Sequence, residues 1–267
     1  MLKGLYSKIL VFLLLAGTCM LVYPTFADWW NERLQLRDIS EYLQNEGQLT
    51  EVDYTEEWEK AHMFNQAIFN HQKVAALTKE EKAFYNSCLN ISGNGIMGYV
   101  DIPLIRVSLP IYHGTSDAVL QSGVGHMEST SLPVGGENTH AALSGHRGLI
   151  SANLFTNLDR VAEGDLFMLR VLGETLTYKV DKISIVLPEE TKLLEPIYGM
   201  DYCTLVTCTP YGVNSHRLLV RGHRIANIKN LSLTVTPDAM QIDPILISPL
   251  FAAPILLVLL IKLMLKK

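Results

Sequence analysis

Between residues 96 and 225 the chain is divided into short β-type runs, at 96–102, 109–112, 140–144, 166–171, 176–187, 204–208 and 217–225, separated by turn-forming residues. Only two short helical gaps, 116–121 and 151–158, fall between them. A doubly wound parallel sheet needs a crossover of a dozen or more residues, usually a helix, between successive strands, and this spacing does not supply it. The pattern therefore predicts a mainly β domain, closed or nearly closed into a barrel. Gly173-Glu174, between two of the runs, reads as a tight hairpin turn.

Upstream the composition changes. Residues 28–90 are dominated by Glu, Lys, Gln, Ala and Leu, with one Gly and no Pro, and predict helices at about 29–46, 55–76 and 78–89. Thr78 and Glu81 stand at capping-box spacing at the start of the last one. Ser92-Gly93-Asn94-Gly95 marks the passage from helical segment to β domain.

The two ends are apolar. Residues 9–23 carry no charge and follow Lys3 and Lys8, the pattern of a signal peptide or a signal anchor. Thr25-Phe26-Ala27 is a weak cleavage site, whereas Trp29 and Trp30 suit a membrane interface, so an uncleaved anchor is the favoured reading. Residues 244–261 are again free of charge and precede Lys262, Lys266 and Lys267; 18 residues is near the minimum for a bilayer span, and Pro249 and Pro254 are tolerated in such helices. A buried core helix is the other reading of that run. Lysines at both outer ends place both termini in the cytoplasm and the rest outside. The expected organisation is an N-terminal signal anchor or signal peptide at 1–27, a helical segment at 28–92, a β-barrel domain at 93–237 and a C-terminal transmembrane helix with cytoplasmic lysines at 238–267.

With 48% hydrophobic residues the chain of 267 is too apolar to be disordered. A net charge of −5 and the lack of a basic stripe in the middle of the chain exclude a nucleic-acid binder. Of the four cysteines, Cys19 lies in the first apolar run, which leaves Cys88, Cys203 and Cys208 outside. An odd count leaves at least one thiol free. Cys203 and Cys208 cannot pair, because an odd separation on a strand points them to opposite faces and five residues span about 16 Å. Cys88 remains as a partner for Cys203, and both are expected to be reduced.

Cys208 closes a β run and is followed by Thr209-Pro210-Tyr211-Gly212, so its thiol sits where a strand gives way to a turn. Such ends display catalytic groups, although a buried structural cysteine is the commoner fate of a lone thiol. Arg217 opens the next run after a short connection, and a guanidinium beside a cysteine can stabilise a thiolate or an oxyanion. Arg221 competes for that role at another height along the strand. His146, in Ser144-Gly145-His146-Arg147-Gly148, has small neighbours that allow close approach, and imidazole exchanges protons near neutral pH. His140, His216 and His223 are its rivals, and spacing alone does not separate His140 from His146. The histidines and cysteines show no zinc-like spacing, so no metal is expected. Asp101, Asp165 and Asp181 are read as structural.

Thr204-Leu205-Val206-Thr207-Cys208 resembles the TLxTC signature of sortases, with Arg217 at the position of their arginine and Ser144-Gly145-His146-Arg147-Gly148 similar to their histidine loop. Ile111-Tyr112-His113-Gly114-Thr115, Ser131-Leu132-Pro133-Val134-Gly135-Gly136 and Cys208-Thr209-Pro210-Tyr211-Gly212-Val213-Asn214 resemble the class C, pilin-polymerising branch of Gram-positive bacteria. The likeness runs from about residue 95 to 225. It implies an eight-stranded sortase barrel with hydrophobic segments at both ends. It also implies a cysteine transpeptidase: the Cys208 thiolate attacks the Thr-Gly bond of an LPXTG-like sorting signal, His146 protonates the leaving amine and Arg217 holds the substrate or its oxyanion. The thioester is then resolved by a lysine amine of another pilin subunit, without a cofactor. Pilin subunits and the membrane are the implied partners.

One departure stands out. Class C sortases carry a lid with an Asp-Pro-aromatic motif, and no Asp-Pro occurs between residues 28 and 90. Asp53-Tyr54 and Asp28-Trp29-Trp30 lack the proline, so the expectation is an active site that is more open or gated otherwise. The competing readings are a general cell-wall anchoring sortase using a peptidoglycan amine, a cysteine peptidase transferring to water, and a membrane-tethered binding module with a structural cysteine.

Overall fold

The computed structural model describes residues 2–71, 77–227 and Lys262. The chain divides into two compact units, with the break between Trp30 and Asn31. It lies inside one long helix, α1 (Leu2–Glu46), which runs through Pro24. The predicted helix at 29–46 is thus the second half of a helix that begins in the apolar run. Within Val11–Glu46 an 18-residue window is apolar enough to cross a membrane, with mean hydropathy 1.6. Phe12, Leu13, Leu15, Met20 and Leu21 are exposed on it. The second apolar run, 244–261, lies outside the described residues.

In the unit that begins at Asn31, the rest of α1 is followed by α2 (Glu51–His71) and α3 (Lys79–Ser87). The start of α2 comes four residues before the predicted 55, because Thr50 and Asp53 exchange side-chain and backbone hydrogen bonds that open the helix. The α3 capping box forms as its sequence predicts: the Thr78 hydroxyl accepts from Glu81 N, and Thr78 N donates to the Glu81 carboxylate.

The barrel contains β1 (Ile96–Ile102), β2 (Val107–His113), β3 (Val124–His126), β4 (Thr139–Ser144), β5 (Leu166–Val171), β6 (Glu174–Val186), β7 (Asp201–Thr209) and β8 (His216–Ile225). They close in the order β1-β2-β3-β4-β7-β8-β6-β5, with β5 back against β1. The β2–β3 and β4–β7 pairs are parallel and the others antiparallel. The strands read from sequence are present with ends shifted by a few residues. β3 escaped that reading because three residues, Val-Gly-His, are too few to show a period of two. Between β2 and β3 the predicted short helix forms as α4 (Asp117–Ser122), its N-terminus capped by the Ser116 hydroxyl. The predicted helix at 151–158 does not form. That stretch is turns ending in a single 3₁₀ turn at Leu158–Arg160, and Leu154, Phe155 and Leu158 pack inward from it. The β5–β6 hairpin turns on Leu172-Gly173, one residue earlier than read, since Val171 pairs with Glu174; both turn residues have positive φ, 46° and 72°.

The main core fills the barrel with Val100, Ile111, Leu143, Phe167, Leu169, Tyr178, Cys203, Leu205 and Val220, and it continues under the helices through Phe64, Ile68, Tyr85 and Leu89. Side-chain hydrogen bonds fasten the helices. Tyr42 on α1 accepts from Leu172 N at 2.9 Å and Glu46 accepts from Gly173 N, so α1 grips the β5–β6 turn. Asn65 on α2 bonds both backbone groups of Leu132. Inside the barrel Gly222 faces the stacked pair Phe167 and Tyr178, whose ring centroids are 5.4 Å apart. A Cβ at Gly222 would stand 2.7 Å from the Phe167 ring. Gly222→Ala is therefore expected to destabilise the protein by about 1–3 kcal/mol, read as a lower urea midpoint at unchanged m; an unaltered midpoint would show that the rings have room to move.

Candidate active site

Three neighbouring strands meet at one end of the barrel. β7 pairs antiparallel with β8 so that Cys208 lies directly across from Arg217, and parallel with β4 so that Ser144 lies beside Val206. Directly opposed residues project to the same face, which puts the Cys208 thiol and the Arg217 side chain side by side. His146 follows Ser144 by two residues and Cys208 follows Val206 by two, so both come just past the last β4–β7 pair. The ladder persists past the strand end, since Gly145 N donates to Val206 O at 3.0 Å and the Thr207 hydroxyl donates to Gly145 O at 2.7 Å. Phe155 N donates to His146 O at 3.1 Å and holds the loop from its other side. The structure thus pairs Cys208 with Arg217 and ties the loop that carries His146 to the same end of β7.

Alternation along β7 separates the two cysteines. Cys203, Leu205 and Thr207 point to the buried interior, and Cys208 shares the outer face with Val206. That face is covered in part by a second cluster of Ala142, Val206, Leu219, Val186 and Leu194, against which Met127 packs. Cys208 is half-buried at its edge. All four cysteines are free. Burial pushes the Cys203 thiol far above its ordinary range and Cys88 up to about 11, so neither supplies a thiolate at neutral pH.

Among the described residues the Arg217 guanidinium spends only Nη1, donating to Asn214 O at 3.2 Å and His216 O at 3.1 Å. Those bonds hold it over the turn, and Nε and Nη2 are left for another acceptor. Arg221, its rival, is otherwise engaged: Nε and Nη2 grip both oxygens of Asp181 at 3.0 and 2.8 Å, and the guanidinium lies 4.2 Å from the Tyr202 ring centroid. His140 is likewise occupied. It is buried between Glu195 O at 3.1 Å and the Thr204 hydroxyl at 2.7 Å, and burial lowers its pKa to about 4, which keeps it neutral. His216 meets the neighbouring Ser215 hydroxyl, and His223 lies beside Asp181. Asp101 and Asp181 each pair with an arginine, and Asp165 accepts from Ala162 N. Among the described residues no group of three His, Cys, Asp or Glu is arranged to hold a metal.

Sequence reasoning passed over Arg147 and Tyr211, although both lie in quoted motifs. Arg147 pairs with Asp159 and donates to Thr209 Oγ1 at 3.4 Å, and Tyr211 stands in the turn after Cys208. Nothing in their spacing marks them, because Asp159 and Thr209 lie 12 and 62 positions from Arg147 and only the fold brings them to it.

Comparison with known proteins agrees with this geometry. Residues 100–225 match the sortase domain model. Over 117 residues the chain is 32% identical to a sortase A of Streptococcus agalactiae, an alignment covering 43% of this chain and 47% of that protein. Over 131 residues it is 30% identical to sortase D of Bacillus subtilis, covering 48% and 63%. The chain thus spans about half to three-fifths of the length of these curated relatives. Among solved structures, sortase C1 of S. agalactiae is similar at 47% identity and a TM-score of 0.70, with 72% of this chain and 100% of that chain covered. Sortase C of Streptococcus pneumoniae follows at 40% identity and 0.62, with 72% and 97% covered. The chain belongs to the sortase family, and both solved structures named above are sortase C enzymes.

The buried histidines give the barrel a pH dependence. Burial lowers His140 and His126 to about 4, against an unfolded value near 6.5. A His depressed in the folded state adds its full stability above pH 6.5 and loses it as pH falls towards 4, because the unfolded chain then binds the extra proton. Burial raises the Glu46 and Asp201 carboxyls, which act in the opposite sense in their own range. His140→Gln isolates one histidine: unfolding free energies between pH 7 and 5 should fall less steeply in the variant, by about one proton or up to ~1.4 kcal/mol per pH unit. Parallel slopes in the two proteins would contradict a neutral buried His140.

Proposed function

We propose that the protein is a class C transpeptidase that joins pilin subunits, with Cys208 as nucleophile, His146 as acid and base, and Arg217 as oxyanion stabiliser. The observation that supports this reading is the register of β7, which pairs Cys208 with Arg217 and, through the last β4–β7 pair, Ser144 with Val206, two residues before His146 and Cys208 respectively. The Cys208 thiolate Sγ attacks the carbonyl carbon of the Thr-Gly bond in an LPXTG-like sorting signal. Negative charge gathers on the carbonyl oxygen, where the free Nε and Nη2 of Arg217 are worth most. The C–N bond then breaks, the glycine nitrogen takes a proton from the His146 imidazolium, and a thioester remains on Cys208. A lysine amine of a second pilin gives a proton to His146 and attacks the thioester, forming an amide and releasing the thiolate. No cofactor takes part.

The proposed arrangement has residues 1–27 as an uncleaved anchor, residues 93–237 as the catalytic domain outside the cell and 238–267 as a second span. The apolar part of α1 supports the first of these. Residues 28–92 take the place of a lid without its Asp-Pro-aromatic motif. In the unit that begins at Asn31, hydrogen bonds tie α1 and α2 to the β5–β6 turn, to Tyr112, to Leu132 and to the backbone near Ser122 and Ser151, and α3 to Gly114, His126 and Glu128. None of these bonds goes to Cys208, which supports an open site.

Two outcomes are expected. Full-length protein in detergent, given a sorting-signal peptide with a lysine-bearing pilin domain, should yield the amide-linked product, while Arg217→Lys, which cannot offer two N–H groups in a fork, should lower kcat by roughly 10²–10³-fold with a smaller change in KM. Free acid as the sole product at saturating pilin would favour a peptidase, and a product formed only with a peptidoglycan-type amine would favour cell-wall anchoring. A bulky charged thiol reagent should label Cys208 within minutes in the native protein. Strong protection that disappears when 28–90 is deleted would instead show that the helical segment covers the site.

A further inference from the structure

The loop that carries His146 and the turn that follows Cys208 are bridged by one side chain, that of Arg147. It is 9% exposed, pairs through Nη2 with Asp159 and donates from Nη1 to Thr209 Oγ1 at 3.4 Å. Arg147 follows His146 and Thr209 follows Cys208, so the guanidinium links the two residues next to the reacting pair. Its carbon also lies 5.9 Å from the centroid of Tyr211, two residues further into the same turn. Gly148 packs so closely there that a Cβ would stand 2.9 Å from the Tyr211 ring, and its positive φ of 79° excludes most other residues.

Stability alone does not account for this arginine. Its Nε is buried and has no hydrogen-bond partner among the described residues. A buried cation with an unmet N–H is costly, and an apolar side chain of similar volume would often leave the fold as stable or more so. Arg147 also lines, with Asp159, Ile183, Ile185, Tyr211 and Leu218, an open pocket of about 430 Å³, so solvent-sized groups reach its surroundings.

We infer that Arg147 is a positioning residue: by locking the loop after β4 to the last residue of β7 and the turn that follows it, it fixes the distance between His146 and Cys208. The inference rests on the proposed roles of those two residues. Arg147 touches no reacting atom in this scheme; it acts through the loop. Only the Arg147 end of the bridge lies past the end of β4, where the barrel ladder no longer sets the spacing; Thr209 is the last residue of β7 and still pairs with His216, so the tie anchors the free loop to the end of the ladder.

The test compares Arg147→Met, Arg147→Lys and Arg147→Ala in the full-length protein, with a sorting-signal peptide and an amine acceptor. Arg147→Met is expected to lower kcat by about 10–100-fold, since a misplacement of about 1 Å can cost that much, while KM for the peptide moves by less than about threefold. The unfolding midpoint should stay close to that of the wild type. Arg147→Lys should recover part of kcat because the ammonium still meets Asp159, and guanidinium ion at millimolar concentration should restore activity to Arg147→Ala. A wild-type kcat in Arg147→Met would overturn the inference, as would a loss that follows the fraction unfolded and is rescued by neither route. Folded wild type that forms no acyl product at all would remove the roles of Cys208 and His146, and this inference with them.

Discussion

Everything at the site depends on β7 being paired on both sides. Its antiparallel ladder with β8 and its parallel ladder with β4 fix three backbone segments in one register, and each is inflexible because it also lines the core. A slip by one residue in either ladder would turn Cys208 inwards and bring Cys203, Leu205 and Thr207 to the outside. The burial of those side chains therefore holds the thiol where it is. Hydrophobic packing in the barrel and the geometry of the proposed chemistry are enforced by the same pairings.

The ladder reaches only as far as Ser144 on one side and Thr209 on the other. Beyond those points the placement of the His146 loop passes to individual contacts: Gly145 to Val206, Thr207 to Gly145, Phe155 to His146, and Arg147 to Thr209 and Asp159. Gly145 has no room for a side chain, since a Cβ would lie 2.6 Å from the Phe155 ring. Small residues around His146 are thus explained by close packing on both sides of the loop. Histidine chemistry requires no such neighbours by itself.

Much of this was legible in the sequence where a residue's role depends on near neighbours. The capping box at Thr78 and Glu81, the strands of the β7–β8 hairpin and the opposite facing of Cys203 and Cys208 are local properties of period and spacing. The preference for Arg217 over Arg221 was half legible, because their heights differ, but the engagement of Arg221 by Asp181 of β6 and Tyr202 of β7 depends on how β8 sits between those strands and could not be read. The same holds for His140, whose neutrality comes from Glu195 and Thr204, residues 55 and 64 positions away. β3 was missed because it is too short to show alternation. The loop at 151–158 was misread because Leu154, Phe155 and Leu158 have helical spacing yet reach the core from turns.

The account stands or falls on the identity of the nucleophile. The most direct measurement is intact-mass and peptide-mapping mass spectrometry of the full-length protein, quenched in acid during turnover of a sorting-signal peptide. The account predicts one acyl group per chain, bound as a thioester to Cys208, with Cys88 and Cys203 unmodified and no adduct in Cys208→Ala. An acyl group on another residue, or product formed by Cys208→Ala at the wild-type rate, would contradict it.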